Sequence, residues 1–145
     1  MPKLLASERL AASVSRVTAT MLGLTFRPIV APAPPELWRT VVLPIPGAHP
    51  VTVALSSDRR GCATLAASML GMDEESLDVA MIEDFLRELL NMTAGQIKSE
   101  LALDQALGLP RISDADALFS SHAWTHHVLD SNSIHLVVSL VADVV

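Results

Sequence analysis

Hydrophobic residues near the start of the chain recur at the spacing of a helix. Between Leu4 and Leu22 they fall every three or four residues, and Gly23 follows. This pattern predicts an amphipathic helix that ends at the glycine. The next segment, Arg27 to Glu36, is rich in proline. Because proline fixes φ and lacks an amide N–H, we expect an extended connector there, and neither a helix nor a central strand.

Two segments then alternate between apolar and polar side chains in the manner of strands. Leu37 to Ile45 places most of its apolar residues on one face, and Val51 to Leu55 does the same. Pro46 and Gly47 lie between the two segments and are typical of a turn. The pattern predicts two strands joined by a short connection.

Helical spacing returns after the second strand. Ser56 to Asp58 offers side-chain oxygens that can cap a helix, and Gly71 can end that helix. Asp73 and Ser76 can cap a longer helix, which the apolar spacing predicts from Leu77 to Ala106.

The end of the chain has a ragged segment followed by a regular one. Ala117 to Leu129 mixes apolar and polar residues, whereas Ile134 to Val144 alternates clearly, and Asp130 to Ser133 is typical of a hairpin turn between them. The order is one helix, two strands, two helices and a strand hairpin. It predicts an α+β fold (an α/β sandwich) in which helices cover a mainly antiparallel sheet, with residues 1–145 in a single domain.

Composition and charge narrow the classes of function. Half of the residues are apolar, which is enough for one substantial core without a cofactor. The formal net charge is -6 and no block of lysine or arginine occurs, so a nucleic-acid backbone would be repelled. Glu8 and Arg9 interrupt the N-terminal apolar run, unlike a signal peptide, and Ile134 to Val145 is too short to span a bilayer. We expect a cytoplasmic protein that binds neither nucleic acid nor membrane.

The long helix carries two stripes of different character. At about 100° of rotation per residue, one side of the helix collects the apolar residues Ile82, Phe85, Leu86, Leu89 and Ile97 together with Thr93, and this side is predicted to be buried. Asp84, Glu88, Asn91 and Gly95 share the opposite stripe. Glutamate and asparagine are ordinary residues on the exposed side of a helix. Asn91 and Gly95, however, each cost about 0.5 to 1 kcal/mol of helix stability relative to alanine, which indicates that another requirement selects them.

The sequence of this helix resembles a known family. The segment ELLNMTAGQIKSEL, Glu88 to Leu101, is similar to the active helix of the CheC/CheX family of chemotaxis phosphatases, in which an E-x-x-N motif precedes an Ala-Gly pair. Looser similarities lie in TATMLGL, VTVALSSD and LGLPRI, so the resemblance covers most of Thr18 to Val144. Only one E-x-x-N helix is present, which is typical of the CheX branch.

The resemblance implies an activity, a partner and roles for four residues. The activity is hydrolysis of the aspartyl phosphate of a CheY-like response-regulator receiver, by a chain that forms homodimers through sheet edges. Asn91 and Glu88 are the implied catalytic pair, in which Asn91 orients water and Glu88 docks on a receiver lysine. Asp84 and Gly95 are implied to contact the partner. The chain itself needs no cofactor, and magnesium is expected on the receiver.

A non-catalytic binding module of the same fold is the alternative function. Such a module would sequester a receiver or join a signalling or flagellar motor assembly. Retention of both Glu88 and Asn91 favours the phosphatase.

Other chemically competent residues form no recognisable motif. Cys62 lacks the C-x-x-x-x-x-R loop of cysteine phosphatases and is expected to be a buried small hydrophobe, and as a lone cysteine it excludes an internal disulfide. His122, His126 and His127 lie in a segment expected to be strand or loop, and no carboxylate shares their spacing. We predict no metal site in this chain.

Overall fold

Three α-helices and one six-stranded sheet make up the part of the chain that the structure describes. The structure is a computed structural model, and it describes residues 6–30, 36–113 and 123–142. The helices are α1 (Ser7–Leu22), α2 (Arg59–Leu70) and α3 (Val79–Glu100), with a short 3-10 turn at Glu74–Ser76 between the last two. The strands are β1 (Arg27–Pro28), β2 (Arg39–Ile45), β3 (Val51–Ser57), β4 (Arg111–Ser113), β5 (Thr125–Ser131) and β6 (Ile134–Ala142).

The sheet is antiparallel throughout, in the order β1-β5-β6-β3-β2-β4. Val41 of β2 lies opposite Leu55 of β3, and Leu55 lies opposite Val138 of β6. The final strand, β6, is therefore central, between β3 and β5, and its apolar composition follows from that position. The α+β fold with a helix-covered antiparallel sheet is confirmed.

One continuous core joins the helices to a single face of the sheet. It contains Leu10, Val14, Leu65, Leu89 and Ile97 from the helices and Val41, Leu43, Leu55, Val138 and Leu140 from the strands. Val42 and Ala54, whose side chains point to the other face, belong to a separate small cluster with Trp124. All three helices thus lie against the same side of the sheet, and the outer side of α3 faces away from it.

The ends of the helices show which of the predicted capping residues and terminating glycines are used. Gly23 and Gly71 follow α1 and α2 in the left-handed conformation, with φ of 68° and 65°, and Asp58 caps α2 by accepting a hydrogen bond from the Gly61 amide at 2.7 Å. The expected start of the long helix was wrong by two residues. Asp73 and Ser76 border the 3-10 turn, and Asp78 caps α3 by accepting from the Met81 amide at 2.8 Å.

The expected end of the long helix, at Ala106, was also wrong, because α3 stops at Glu100. Ala102 adopts a positive φ of 55°, and the chain then turns back along the connection between β2 and β3. The Gln105 side chain donates to the carbonyls of Ile45 and His49 at 3.3 and 3.1 Å and accepts from the His49 amide at 2.9 Å. These tertiary hydrogen bonds hold the segment in an extended path in place of another helical turn.

The expected connector and the expected ragged segment also need partial correction. Arg27 and Pro28 form a short edge strand opposite Asp130 and Leu129, at an edge of the sheet where proline is tolerated. Thr125–Ser131 is a regular strand, and its hairpin turn is confined to Asn132 and Ser133, both at positive φ. Residues 31–35 and 114–122 lie outside the described residues. Within the described ranges, no helix combines the length and the apolar character needed to cross a bilayer.

Candidate functional site

Helix α3 has one buried side and one exposed side, as its periodicity predicted. All six residues of the predicted apolar stripe are buried, namely Ile82, Phe85, Leu86, Leu89, Thr93 and Ile97. Asp84, Glu88 and Asn91 are exposed, and Gly95 is partly exposed. The structure thus places all four predicted site residues along the outer side of one helix, while their functional roles stay predictions.

The N-terminus of α3 is capped within the helix, and its C-terminus is tied to α1. Asp78 caps the N-terminus, and Glu100 at the C-terminus forms ion pairs with Arg9 and Arg16 of α1 at 2.6 and 3.0 Å. Between these ends, the apolar stripe packs into the common core. The exposed side of α3 is therefore a rigid platform, which is the kind of element on which a reactive side chain can be positioned accurately.

Glu88 and Asn91 leave their polar groups available to a partner. They are three residues apart, so their side chains emerge about one helical turn from each other on the same side. Within residues 6–30, 36–113 and 123–142, neither side chain forms a hydrogen bond or an ion pair. The carboxylate can accept hydrogen bonds, and the amide can accept and donate at once. The pair thus offers one anionic and one neutral polar group at the same exposed place.

Asp84 is in a different situation, because it already has a partner within the helix. The Arg87 guanidinium donates to Asp84 Oδ1 at 2.8 Å. This i, i+3 pair neutralises part of the Asp84 charge beside Glu88 and places a cation on the same side of α3. The spacing of Asp84 and Arg87 alone was enough to predict this pair, and the sequence analysis missed it.

Gly95 is not required by packing inside the chain. A Cβ built on Gly95 would meet no atom within 4 Å, and the residue lies in regular helix with no positive φ. The Ser99 hydroxyl donates to the Gly95 carbonyl at 3.2 Å, as serine commonly does inside helices. Alanine would therefore fit this position and would favour the helix. Contacts among the described residues therefore do not explain why this position is a glycine.

Cys62 is a buried structural residue, as expected. Its side chain is fully buried at the start of α2, and its sulfur donates weakly to the Ser57 carbonyl at 3.7 Å. Burial raises the pKa of the Cys62 thiol to about 12, and the negative charge of Asp58 contributes to the same shift. A thiol with this pKa is protonated at neutral pH and is a poor nucleophile.

The histidines of β5 are separated by the alternation of the strand. His126 Nδ1 lies 2.6 Å from the Ser139 hydroxyl, whereas His127 is buried, with its Nδ1 2.7 Å from the Ser7 hydroxyl. Burial lowers the pKa of both imidazoles, and the neighbouring His127 lowers that of His126 further. His122 lies outside the described residues. Among those that the structure describes, no group of three or more histidine, cysteine or acidic residues is arranged to hold a metal.

Comparisons with known proteins place this geometry in a family. The family model described as chemotaxis phosphatase CheX matches residues 39–129, more than half of the chain, from the start of β2 into β5. This range contains the whole of α3. No curated protein sequence matches the chain.

Solved structures with the same fold extend over nearly the whole chain. The chemotaxis protein CheX of Vibrio vulnificus is 17% identical, with a TM-score of 0.75 and coverage of 99% of this chain and 100% of the other. The chain matched in a CheX–CheY–BeF3–magnesium complex of Borrelia burgdorferi is 13% identical, with a TM-score of 0.74 and coverage of 98% and 100%. The chain matched in a FliM–SpeE complex of H. pylori is 9% identical, with a TM-score of 0.63 and coverage of 93% and 82%.

At these identities the solved structures establish the fold, and the family model establishes the relationship. The helix with the exposed Glu88 and Asn91 lies inside the matched range. The chain therefore belongs to the CheX family of chemotaxis phosphatases.

Proposed function

We propose that this chain hydrolyses the aspartyl phosphate of a CheY-like receiver domain. The observation that carries the proposal is the pair Glu88 and Asn91, exposed on the rigid outer side of α3 and without side-chain partners in the described part of the chain. Membership of the CheX family and the similarity to a CheX chain solved with CheY, BeF3 and magnesium support the choice of substrate.

Asn91 is the residue proposed to act on the attacking water. Hydrolysis requires a water oxygen in line with the bond between phosphorus and the receiver aspartate, and the catalyst acts mainly by positioning that water. The Asn91 side-chain oxygen accepts a hydrogen bond from the water and so directs its lone pair at phosphorus. As the new P–O bond forms, the bond to the aspartate breaks, the aspartate leaves as a carboxylate, and the protons of the water pass to the released phosphate and from it to solvent. The amide adds no negative charge next to the phosphoryl oxygens.

Glu88 is proposed to dock the chain on the receiver. A carboxylate directly beside the phosphoryl group would be repelled by it, so Glu88 is better suited to a charge-assisted hydrogen bond with a receiver lysine. One helical turn separates the two side chains, which allows Glu88 to bind the lysine while Asn91 reaches the water. The magnesium of the receiver compensates charge on the phosphoryl oxygens. Nothing in this role requires a metal held by the chain itself.

Asp84 and Gly95 are proposed to border the same contact. Asp84 lies one turn before Glu88, and its pairing with Arg87 limits the repulsion it would exert on a phosphorylated partner. Gly95 lies one turn beyond Asn91, where the absence of a side chain permits a closer approach of the receiver backbone. A cytoplasmic homodimer that associates through sheet edges is part of the same proposal.

A binding module without catalysis is the second candidate function. It is favoured by the fold similarity to a chain of the FliM–SpeE complex of H. pylori, which was solved bound to another protein. The two functions differ in the number of phosphates released per chain. A phosphatase is freed after each hydrolysis and acts on many receivers, whereas a binding module only holds the receiver.

The experiment measures phosphate release from excess phosphorylated receiver in the presence of a limiting amount of the chain. The phosphatase is expected to release many phosphates per chain, at a rate that rises in proportion to the chain concentration. The rate of the receiver alone is the baseline. Formation of a stable complex without any rise above this baseline would reject the phosphatase and support the binding module.

A further inference from the structure

A cluster of one tryptophan and two arginines lies beside the proposed site and has no part in the roles assigned above. The Arg39 guanidinium carbon lies 4.1 Å from the centre of the Trp38 ring, and that of Arg59 lies 4.9 Å from it. Both distances are within the range of a cation–π interaction. Trp38, Arg39 and Arg59 are named here the arginine–tryptophan patch.

The patch is fixed against the flank of α3. Arg39 Nε donates to Glu83 Oε2 at 3.0 Å, and Glu83 directly precedes Asp84 of the exposed stripe. Glu83 and Asn91 are eight residues apart, which is about 12 Å along the helix axis. A typical protein interface covers about 800 Å² on each partner, a disc of about 16 Å radius. A receiver centred on Asn91 thus reaches Glu83, and the patch begins at the edge of that footprint, where Arg39 is bound to Glu83.

The charge of the patch is unusual for this chain. The formal net charge of the whole sequence is -6, yet the two guanidinium groups here form a single ion pair within the described ranges, that of Arg39 with Glu83. Arg39 is half-buried and is engaged by Glu83, whereas Arg59 is exposed and forms no ion pair within the described ranges. Asp58, the residue before Arg59, caps α2 and forms no ion pair with Arg59 within the described ranges. The arrangement therefore leaves an unsatisfied cation next to the proposed docking helix.

We propose that the arginine–tryptophan patch is a second docking contact, in which Arg59, held over the Trp38 ring, binds a carboxylate of the receiver. The proposal rests on the proposed function, since it takes the receiver as the partner that covers α3. The phosphoryl group and the magnesium-binding carboxylates of the receiver together carry more negative charge than one magnesium ion neutralises, so a chain of net charge -6 is repelled as it approaches. The patch offsets that repulsion at one defined place and so selects the orientation of the complex.

The test compares Arg59→Gln with a matched control, Arg60→Gln. Both arginines lie in the first turn of α2, both are exposed, and neither forms an ion pair within the described ranges. Arg60 instead borders a cleft formed with Leu24, Asn132 and Ser133, away from Trp38. Each substitution removes one positive charge, so a difference between them reports position and not net charge.

The measured quantity is the dissociation constant for a receiver loaded with beryllofluoride and magnesium, which holds the activated state without turnover. Arg59→Gln is expected to weaken binding about threefold to tenfold at low ionic strength, and the loss is expected to shrink as salt is added. Arg60→Gln is expected to bind like the wild type. Equal dissociation constants for Arg59→Gln and the wild type, or equal losses in both variants, would overturn the proposal.

Phosphate release by the same proteins separates this inference from the proposed function. Turnover by the wild type together with an unchanged dissociation constant for Arg59→Gln rejects the patch and leaves the phosphatase in place. Binding that depends on Arg59, without any turnover, rejects the phosphatase and supports the patch. If the wild type neither binds nor dephosphorylates receivers of its organism, both proposals fail.

Discussion

Glu88 and Asn91 differ in charge, and this difference decides how the proposed work is divided between them. A neutral amide can stand next to phosphoryl oxygens without repulsion, whereas a carboxylate there would oppose the approach of the substrate. Both side chains are exposed on the same side of α3. Their unequal chemistry therefore predicts unequal effects on the kinetic constants when each is replaced.

Glu88→Lys reverses the charge of the docking residue and is expected to raise KM for the phosphorylated receiver by about tenfold or more, since a repelled lysine partner costs more than a lost ion pair. The turnover number kcat is expected to change little, because Asn91 is untouched. Steady-state phosphate release at several receiver concentrations separates the two constants.

Glu75→Lys is the control for that charge reversal. Glu75 is exposed in the 3-10 turn before α3, away from the stripe, and its replacement changes the net charge by the same amount. An equal rise in KM for both variants would show a general charge effect and would contradict a specific role for Glu88. A fall in kcat of Glu88→Lys without a change in KM would also contradict that role.

At the level of the element, α3 contains a glycine that its own packing does not explain. The space around Gly95 admits a Cβ without contact, and glycine lowers helix stability relative to alanine. We infer that the surface of the partner, rather than the core, is the constraint at this position.

Gly95→Ala is therefore expected to raise the free energy of unfolding by about 0.5 to 1 kcal/mol and, at the same time, to weaken binding of the receiver. Denaturant unfolding gives the first quantity, and titration with the beryllofluoride-loaded receiver gives the second. Ser68→Ala, at an exposed position of α2, is the control for a change that favours a helix without touching α3. Greater stability with unaltered binding would contradict the proposed place of Gly95 in the interface.

The elements also show where sequence periodicity was sufficient and where it was not. The buried and exposed sides of α3 follow from the 3.6-residue repeat, and the glycine ends of α1 and α2 follow from local conformation, so both were predictable. The end of α3 was not, because it depends on hydrogen bonds from Gln105 to a turn about sixty residues earlier in the chain. Local sequence contains no signal for such a contact.

The candidate site also has a part that the sequence predicts and a part that only the fold brings together. The positions of Asp84, Glu88, Asn91 and Gly95 on one exposed stripe follow from their spacing within one helix. The arginine–tryptophan patch unites the start of β2 with the start of α2, and its position beside α3 depends on the ion pair between Arg39 and Glu83. No single segment of the sequence contains these three parts, so only the folded chain reveals the patch.

For the molecule as a whole, the architecture explains how α3 is held in place while its outer side stays exposed. Three helices lie on one face of an antiparallel sheet, the apolar side of α3 is held in the common core, and Glu100 ties its end to α1. On the outer side of α3, the Glu88 and Asn91 side chains form no hydrogen bond or ion pair with any residue that the structure describes. The fold thus presents these two groups at a fixed spacing to a partner of matching chemistry.

The most direct test of this account is the rate of receiver dephosphorylation by Asn91→Ala, with saturating receiver and a limiting amount of the chain. If Asn91 positions the reacting water, the wild type accelerates the reaction and Asn91→Ala loses at least about a hundredfold of that acceleration, the scale expected for such a group. Its dissociation constant for the beryllofluoride-loaded receiver is predicted to stay close to that of the wild type. An Asn91→Ala protein that turns over like the wild type would show that Asn91 does not position the water.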